Sequence, residues 1–244
     1  KPYYDALTVL TYVAAVTRKV RLGTSVLVLP YLNPIVLAKS LATLDVMSGG
    51  RLEVGVGVGA MKHESDSLGS DFENRGAYAD ESIRIMRTLW DAEDPEFEGS
   101  YFSFSGVKFS PKPIQKPYPP ILIGGQGNAA MRRAAGLGDG WHPNGNSPDK
   151  MALRIEKLRR FTDAQERPLS DLKISVRSEL DVLPSGSERS ESPTVGSKDQ
   201  ILGTIDAYQE LGVQEMVFSV STDDTERIRT VMENFAEKVM SRSN

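Results

Sequence analysis

Arg21 to Leu29 (RLGTSVLVL) is a near-continuous, β-branched apolar run that Pro30 ends. A strand without a polar face must be covered on both sides, as in a parallel sheet with helical crossovers. Pro34 then opens a helix carrying Ile35, Leu37, Leu41 and Leu44, and Gly49 and Gly50 supply its stop. Leu52 to Val58 follows as a second buried strand. Upstream, Leu7, Leu10, Val13 and Ala14 share one face of a predicted helix.

The alternation recurs along the chain. Ala79, Ile83, Met86 and Trp90 mark a helical stripe; Ile121 to Ile123 is a short strand after Pro119 and Pro120; Met131 to Leu137 is a helix that Gly138 caps. A short strand near Trp141, a helix through Met151, Ile155, Leu158 and Phe161, and a strand from Ile174 to Leu180 come next. Ser197 with Gln200 forms a capping box before Ile201, Ile205 and Tyr208. Gly212 stops that helix, Glu215 to Val220 is a strand, and Asp223 with Glu226 caps the last helix. Six strand and helix alternations imply an α/β fold, either a doubly wound sheet or most of a TIM barrel two strands short of eight. Two stretches break the pattern and read as insertions, near 91–118 and 183–196. The first contains a polar and aromatic alternation (Glu96 to Phe109) that resembles a hairpin, and the second is rich in Ser, Pro, Gly and Glu. No repeat or composition break divides residues 1–244, so a single domain is expected.

Composition narrows the function classes. The 244 residues carry a net charge of -4 with a sequence pI near 5.4, and basic residues are scattered among acids, which argues against nucleic acid as a partner. With no cysteine and two histidines, neither a disulfide framework nor thiolate metal ligation is possible, and no metal site is assigned. No apolar run reaches the roughly 18 to 20 residues of a membrane span, and no signal core follows the N-terminus. A soluble cytoplasmic protein is the expectation. Position 1 is Lys, so residues upstream are expected to be missing.

The most informative segment is Ile121 to Ala130 (ILIGGQGNAA), where a strand runs into Gly124, Gly125, Gln126 and Gly127 and then a helix capped by Asn128. Free amides at a helix start, the helix dipole and the absence of β-carbons favour a bound phosphate. The alternative is a tight turn that merely needs positive φ. It is not a Walker A loop, since no Lys with Ser or Thr follows. In Leu52 to Ala60 (LEVGVGVGA) the alternating Gly55, Gly57 and Gly59 leave one strand face bare, open to a flat ring or to another backbone. A Rossmann fingerprint is rejected because no third glycine follows at the required spacing and no clear helix opens. His63 and His142 both fall just beyond strands, where the βα loops of a barrel face its active side, and are the acid/base candidates. The alternative for each is a loop histidine bonded to backbone, and Glu64 and Asp66 read equally well as solvated charges.

Taken together, RLGTSVLVLPYLNP, SGGRLEVGVGVG, Phe109 to Pro120 and IGGQGNAAMRRAAGLGDGW resemble the luciferase-like monooxygenase superfamily over nearly the whole chain, most closely its F420-dependent branch. The resemblance implies a (β/α)8 barrel in which Thr24 to Leu27 lie on the third strand, with the first two strands before Lys1. It implies a non-proline cis peptide between Ser25 and Val26 behind the cofactor ring, so that Thr24, Ser25 and Val26 are cofactor contacts. It implies that Gly57 and Gly59 border the ring pocket and that Gly124, Gly125, Gln126, Gly127 and Asn128 hold the cofactor phosphate. Ala60 stands where some sugar-phosphate dehydrogenases of the family carry glutamate, which argues against glucose-6-phosphate dehydrogenase activity. The family's habit implies a homodimer.

Three functions follow as expectations. The first is hydride transfer between C5 of coenzyme F420 and a small organic substrate, with the barrel supplying orientation. FMN at the same place would instead permit monooxygenation, and a non-catalytic flavin- or deazaflavin-binding barrel is the reading from a different class. A hydrolase would need a Gly-x-Ser-x-Gly elbow in a strand-to-helix turn, and none occurs.

Overall fold

The computed structural model describes residues 4–188 and 190–243. Its contacts divide the chain into two compact units, residues 4–124 with 136–139, and residues 125–135 with 140–243.

In the first unit, α1 (Ala6–Val16), β1 (Leu22–Gly23), β2 (Leu27–Val28), α2 (Pro34–Ser48), β3 (Leu52–Gly57), α3 (Lys62–Ser67), α4 (Arg75–Asp91), β4 (Phe97–Glu98), β5 (Ser103–Phe104) and β6 (Ile121–Gly124) follow in order. β3 is central: β1 and β2 pair with it in parallel at Leu22↔Leu52 and Leu27↔Val56, and β6 pairs on its other side at Val54↔Ile121. The strand expected from Arg21 to Leu29 is thus two short strands. The break falls at Thr24, whose hydroxyl donates to the Gly55 carbonyl (2.7 Å), and at the Ser25–Val26 peptide bond, which is cis as the resemblance implies.

Helix α2 forms where the sequence places it. Asn33 caps its start by accepting from Ile35 N and Val36 N, and Gly49 ends it at φ 71°. Leu37, Leu41 and Leu44 are buried, as are Ile83, Met86 and Trp90 of α4. Trp90 satisfies its indole N–H on the Ala38 carbonyl (3.0 Å). β4 and β5 form the expected antiparallel hairpin. The segment after Gly59 does open a helix, the short α3, contrary to expectation. Its six residues show too little periodicity to be legible.

In the second unit come the first turns of α5 (Asn128–Leu137), then β7 (Gly140–His142), α6 (Pro148–Asp163), β8 (Lys173–Glu179), β9 (Asp181–Val182), β10 (Val195–Gly196), α7 (Lys198–Glu210), β11 (Glu215–Ser219) and α8 (Thr225–Lys238). β7, β8 and β11 are parallel neighbours, with Trp141↔Ile174 and Met216↔Val176 opposite one another. Ser197 and Gln200 form the capping box of α7. The last helix is capped by Asp224 in place of Asp223: its carboxylate accepts from Glu226 N (2.9 Å) and Arg227 N (3.3 Å). Within the 183–196 insertion, Val195–Gly196 pairs in parallel with Asp181–Val182. Leu180, Ile201, Leu202, Val231 and Val239 form a buried cluster. Among the described residues, no helix is long and apolar enough to cross a membrane.

Candidate cofactor site

The loop after β6 is built for access. Gly125 has φ 111°, a conformation that L side chains rarely adopt, and Gly125, Gly127 and Asn128 are exposed. A β-carbon on Gly127 would meet nothing within 4 Å. The first intrahelical bond of α5 runs from Met131 N to Gly127 O (3.0 Å). Asn128 is therefore the first helical residue, with Gly127 before it, and not the cap that the sequence suggests. The amides of the first turn have no acceptor within the helix and lie at the positive end of its dipole.

Three contacts of the second unit fix the loop. The Trp141 indole N–H donates to the Gly125 carbonyl (2.8 Å), and the Gln126 amide donates to the Asn144 carbonyl (3.1 Å). Arg154, on α6, donates through Nη1 to the Gln126 side-chain oxygen. The segment after β7 is itself anchored, because Asn146 N donates to the hydroxyl of buried Tyr208 (2.9 Å). Sequence reasoning missed Arg154 and Asn144. Each lies 18 or more residues from Gln126, and no local pattern distinguishes Arg154 from the other cations of α6.

The glycine row of β3 has a packing explanation. A β-carbon on Gly55 would stand 2.0 Å from the Thr24 carbonyl oxygen, one on Gly57 would stand 2.8 Å from Val26 Cγ2, and one on Gly59 would stand 3.0 Å from Val28 Cγ1. The bare face admits the neighbouring strand, the second of the two possibilities the sequence left open. Gly124 is crowded by the same Val26 at 3.0 Å. Thr24 is buried and its hydroxyl is committed to Gly55. Ser25 and Val26 belong to the same crossing segment.

The two histidines differ sharply. His63 is exposed on α3, where its carbonyl accepts from Ser67. His142 lies within β7, not beyond it, and is 5% exposed. Its Nδ1 is 3.0 Å from Ser175 Oγ, which donates to Glu215 Oε1 (3.1 Å), while Lys173 donates to Glu215 Oε2 (2.8 Å). Burial pushes the His142 pKa below its ordinary 6.5, so the ring is held neutral. Near His63, Glu64 lies 3.4 Å from the Tyr31 hydroxyl, and Asp66 pairs with Lys62 at 2.8 Å. Among the described residues, no cluster of three or more His, Asp or Glu is placed to hold a metal.

These parallel strands and crossover helices are those of the luciferase-like TIM-barrel fold. The structure of a coenzyme F420-dependent tetrahydromethanopterin reductase from Methanopyrus kandleri matches with a TM-score of 0.83 at 18% identity, over 99% of this chain and 88% of that one. A family model described as luciferase-like monooxygenase matches residues 1–188, and the chain belongs to that family. An uncharacterized Mycobacterium tuberculosis protein is 31% identical over 99% of this chain and 79% of its own length. An FMNH2-dependent dimethylsulfone monooxygenase of Pseudomonas putida is 30% identical over 64% of this chain and 44% of its length. An F420-dependent glucose-6-phosphate dehydrogenase of Amycolatopsis mediterranei is 31% identical over 72% of this chain and 54% of its length. The family is one of oxidoreductases and monooxygenases that includes both F420- and FMN-dependent members.

Proposed function

We propose that the chain is an F420-dependent oxidoreductase that transfers a hydride between the deazaflavin C5 and a small organic substrate. The observation that supports a cofactor phosphate here is the open loop at residues 124–128: Gly125 at positive φ, free space at Gly127, and a helix, α5, that begins at Asn128. Gly124, Gly125, Gln126, Gly127 and Asn128 hold the phosphate in this reading; Thr24, Ser25 and Val26 are assigned to the ring, with Gly57 and Gly59 bordering it by giving room to the Val26 and Val28 side chains. The cofactor supplies the hydride chemistry when bound, and the chain supplies binding and orientation. His63, exposed on α3, is the candidate for proton transfer, and His142 holds position through Ser175. The cytoplasmic location and homodimer implied by the resemblance belong to the same reading.

FMN is the second reading, favoured by the similarity to the FMNH2-dependent monooxygenase of P. putida. The test is fluorescence titration of the protein with F420 and with FMN, repeated with Gly125→Asp and Gly127→Asp. Saturable F420 binding that both variants abolish supports the proposal. Preference for FMN moves the assignment to a monooxygenase, and binding of neither cofactor overturns the reading.

A further inference from the structure

The two faces of β8 differ. Ile174, Val176 and Ser178 are buried, and a β-carbon on Gly145 would meet the Ser178 hydroxyl at 2.9 Å and the hydroxyl of Tyr208, on α7, at 3.3 Å. Alternation therefore turns Lys173, Ser175, Arg177 and Glu179 to the face away from α7. The register sets Glu215, Val217 and Ser219 of β11 opposite Ser175, Arg177 and Glu179. On the other side, the pairings Trp141↔Ile174 and Asn144↔Arg177 put His142 and Asn144 on the same face. A (β/α)8 barrel ordinarily fills the face turned from its helices with layers of Val, Ile and Leu. Here Val217 is the one apolar side chain of that set. Polar groups in such a place are costly unless they meet one another, water or a ligand. At the N-terminal end of the face they meet one another: Lys173 pairs with Glu215 (2.8 Å), and the Ser175 hydroxyl lies between Glu215 (3.1 Å) and His142 (3.0 Å). Arg177, one step nearer the C-terminal end of the strand, is exposed, and no carboxylate of the described residues forms an ion pair with it. Its backbone is fixed on both edges, its amide donating to the Pro143 carbonyl (3.0 Å) and its carbonyl accepting from Gly145 N (2.6 Å).

We propose that Arg177 anchors an oxyanion group of the substrate, a carboxylate or sulfonate, on the polar face of β7, β8 and β11. The role rests on the oxidoreductase reading above and gives its substrate a charge: an organic anion in place of a neutral alcohol or sugar. The planar guanidinium presents paired N–H donors to two oxygens of such a group. A cation mounted on a central strand, toward the C-terminal ends where barrels of this kind bind their ligands, holds that group in a fixed position. Asn144 beside it is uncharged and exposed, and its carbonyl holds the Gln126 amide of the cofactor loop (3.1 Å), so the anchor and that loop share one strand connection. Glu179, the next residue on this face, is exposed and opposes the anion. Arg177 is thus a specificity residue and takes no proton or hydride.

The test follows the arginine Nε–H resonances of the isotope-labelled protein by NMR during titration with acetate, methanesulfonate and uncharged acetamide. Ionic strength is held constant with chloride, which removes general screening from the comparison. Arg177→Lys identifies the Arg177 resonance by its loss. The expected result is a saturable shift of that resonance with either anion and none with acetamide. Followed at the backbone amides of Asn144 and Ser178, anion binding should weaken about 10- to 100-fold in Arg177→Gln. Arg177→Lys should recover part of that loss, and Glu179→Gln should tighten binding about two- to fivefold. Unaltered amide spectra away from the site show that each variant is folded. An Arg177 resonance that stays still, or that drifts without saturating along with the exposed arginines of α6, overturns the proposal. The anion shift should persist with F420 bound; its loss would give Arg177 to the cofactor phosphate and overturn the substrate role. Failure of F420 to bind overturns the cofactor reading alone, since the anion titration is made without it.

Discussion

Gly55 lies so close beneath Thr24 that a β-carbon on it would stand 2.0 Å from the Thr24 carbonyl oxygen, while the Thr24 hydroxyl donates to the Gly55 carbonyl at 2.7 Å. The contact is backbone against backbone, so no rotamer change relieves it. Gly55→Ala is expected to destabilise the protein by on the order of 3 kcal/mol. Gly127→Ala, where a β-carbon meets nothing within 4 Å, should stay within about 0.5 kcal/mol of wild type. Urea denaturation of both variants checks the contrast, and equal costs would contradict it.

Asp45 is fully buried on α2, and its carboxylate accepts from Ile114 N (2.8 Å), Gln115 N (3.1 Å) and Gln115 Nε2 (2.7 Å). Asp45→Ala removes the acceptor of two backbone amides and the Gln115 side-chain amide and should cost about 3 kcal/mol, whereas Asp45→Asn, which keeps one oxygen, should cost less. Chemical denaturation orders the two variants.

The Glu81 carboxylate, 6% exposed, accepts from the amides of Ser100 (2.8 Å), Tyr101 (2.9 Å) and Phe102 (2.7 Å). It is the mount of the β4–β5 hairpin, whose two-residue strands give it little stability of its own. Glu81→Ala should raise amide exchange across residues 97–104 well before the rest of the unit, as read by hydrogen exchange with mass spectrometry.

His142 sets a pH dependence. Burial lowers its pKa below 6.5 in the fold, so the unfolded chain binds more protons than the native state once the pH falls through that value. The neutral ring thus contributes stability that is present above pH 6.5 and is lost as the pH falls toward the native pKa. The groups facing it are Ser175, Glu215, Arg177 and Lys173. Replacing His142 with Gln should flatten the fall of melting temperature between pH 7.5 and 5.5. An unaltered slope in the variant would show that His142 does not carry it.

Much of the fold was legible because its signals are local. The stop at Gly49, the capping box of Ser197 and Gln200, and the buried strand at Leu52–Gly57 each depend on residues within one turn or strand. The features that escaped depend on partners far along the chain. Nothing within Arg21 to Leu29 says that its strand breaks; the reason lies 31 residues away, at Gly55. The shifts from Asp223 to Asp224 and from Asn128 to Gly127 are one-residue choices between adjacent competent caps. At the candidate site, the glycines of the loop could be read directly. Arg154 could not, because its place beside Gln126 comes from the packing of α6.

The loop at residues 124–128 is assigned to the phosphate of a deazaflavin. A crystal structure of the protein grown with F420 tests it most directly. Phosphate density is expected within hydrogen-bond distance of the backbone amides at Gly127, Asn128 or Ala129. A cofactor whose phosphate lies away from this loop would contradict that assignment.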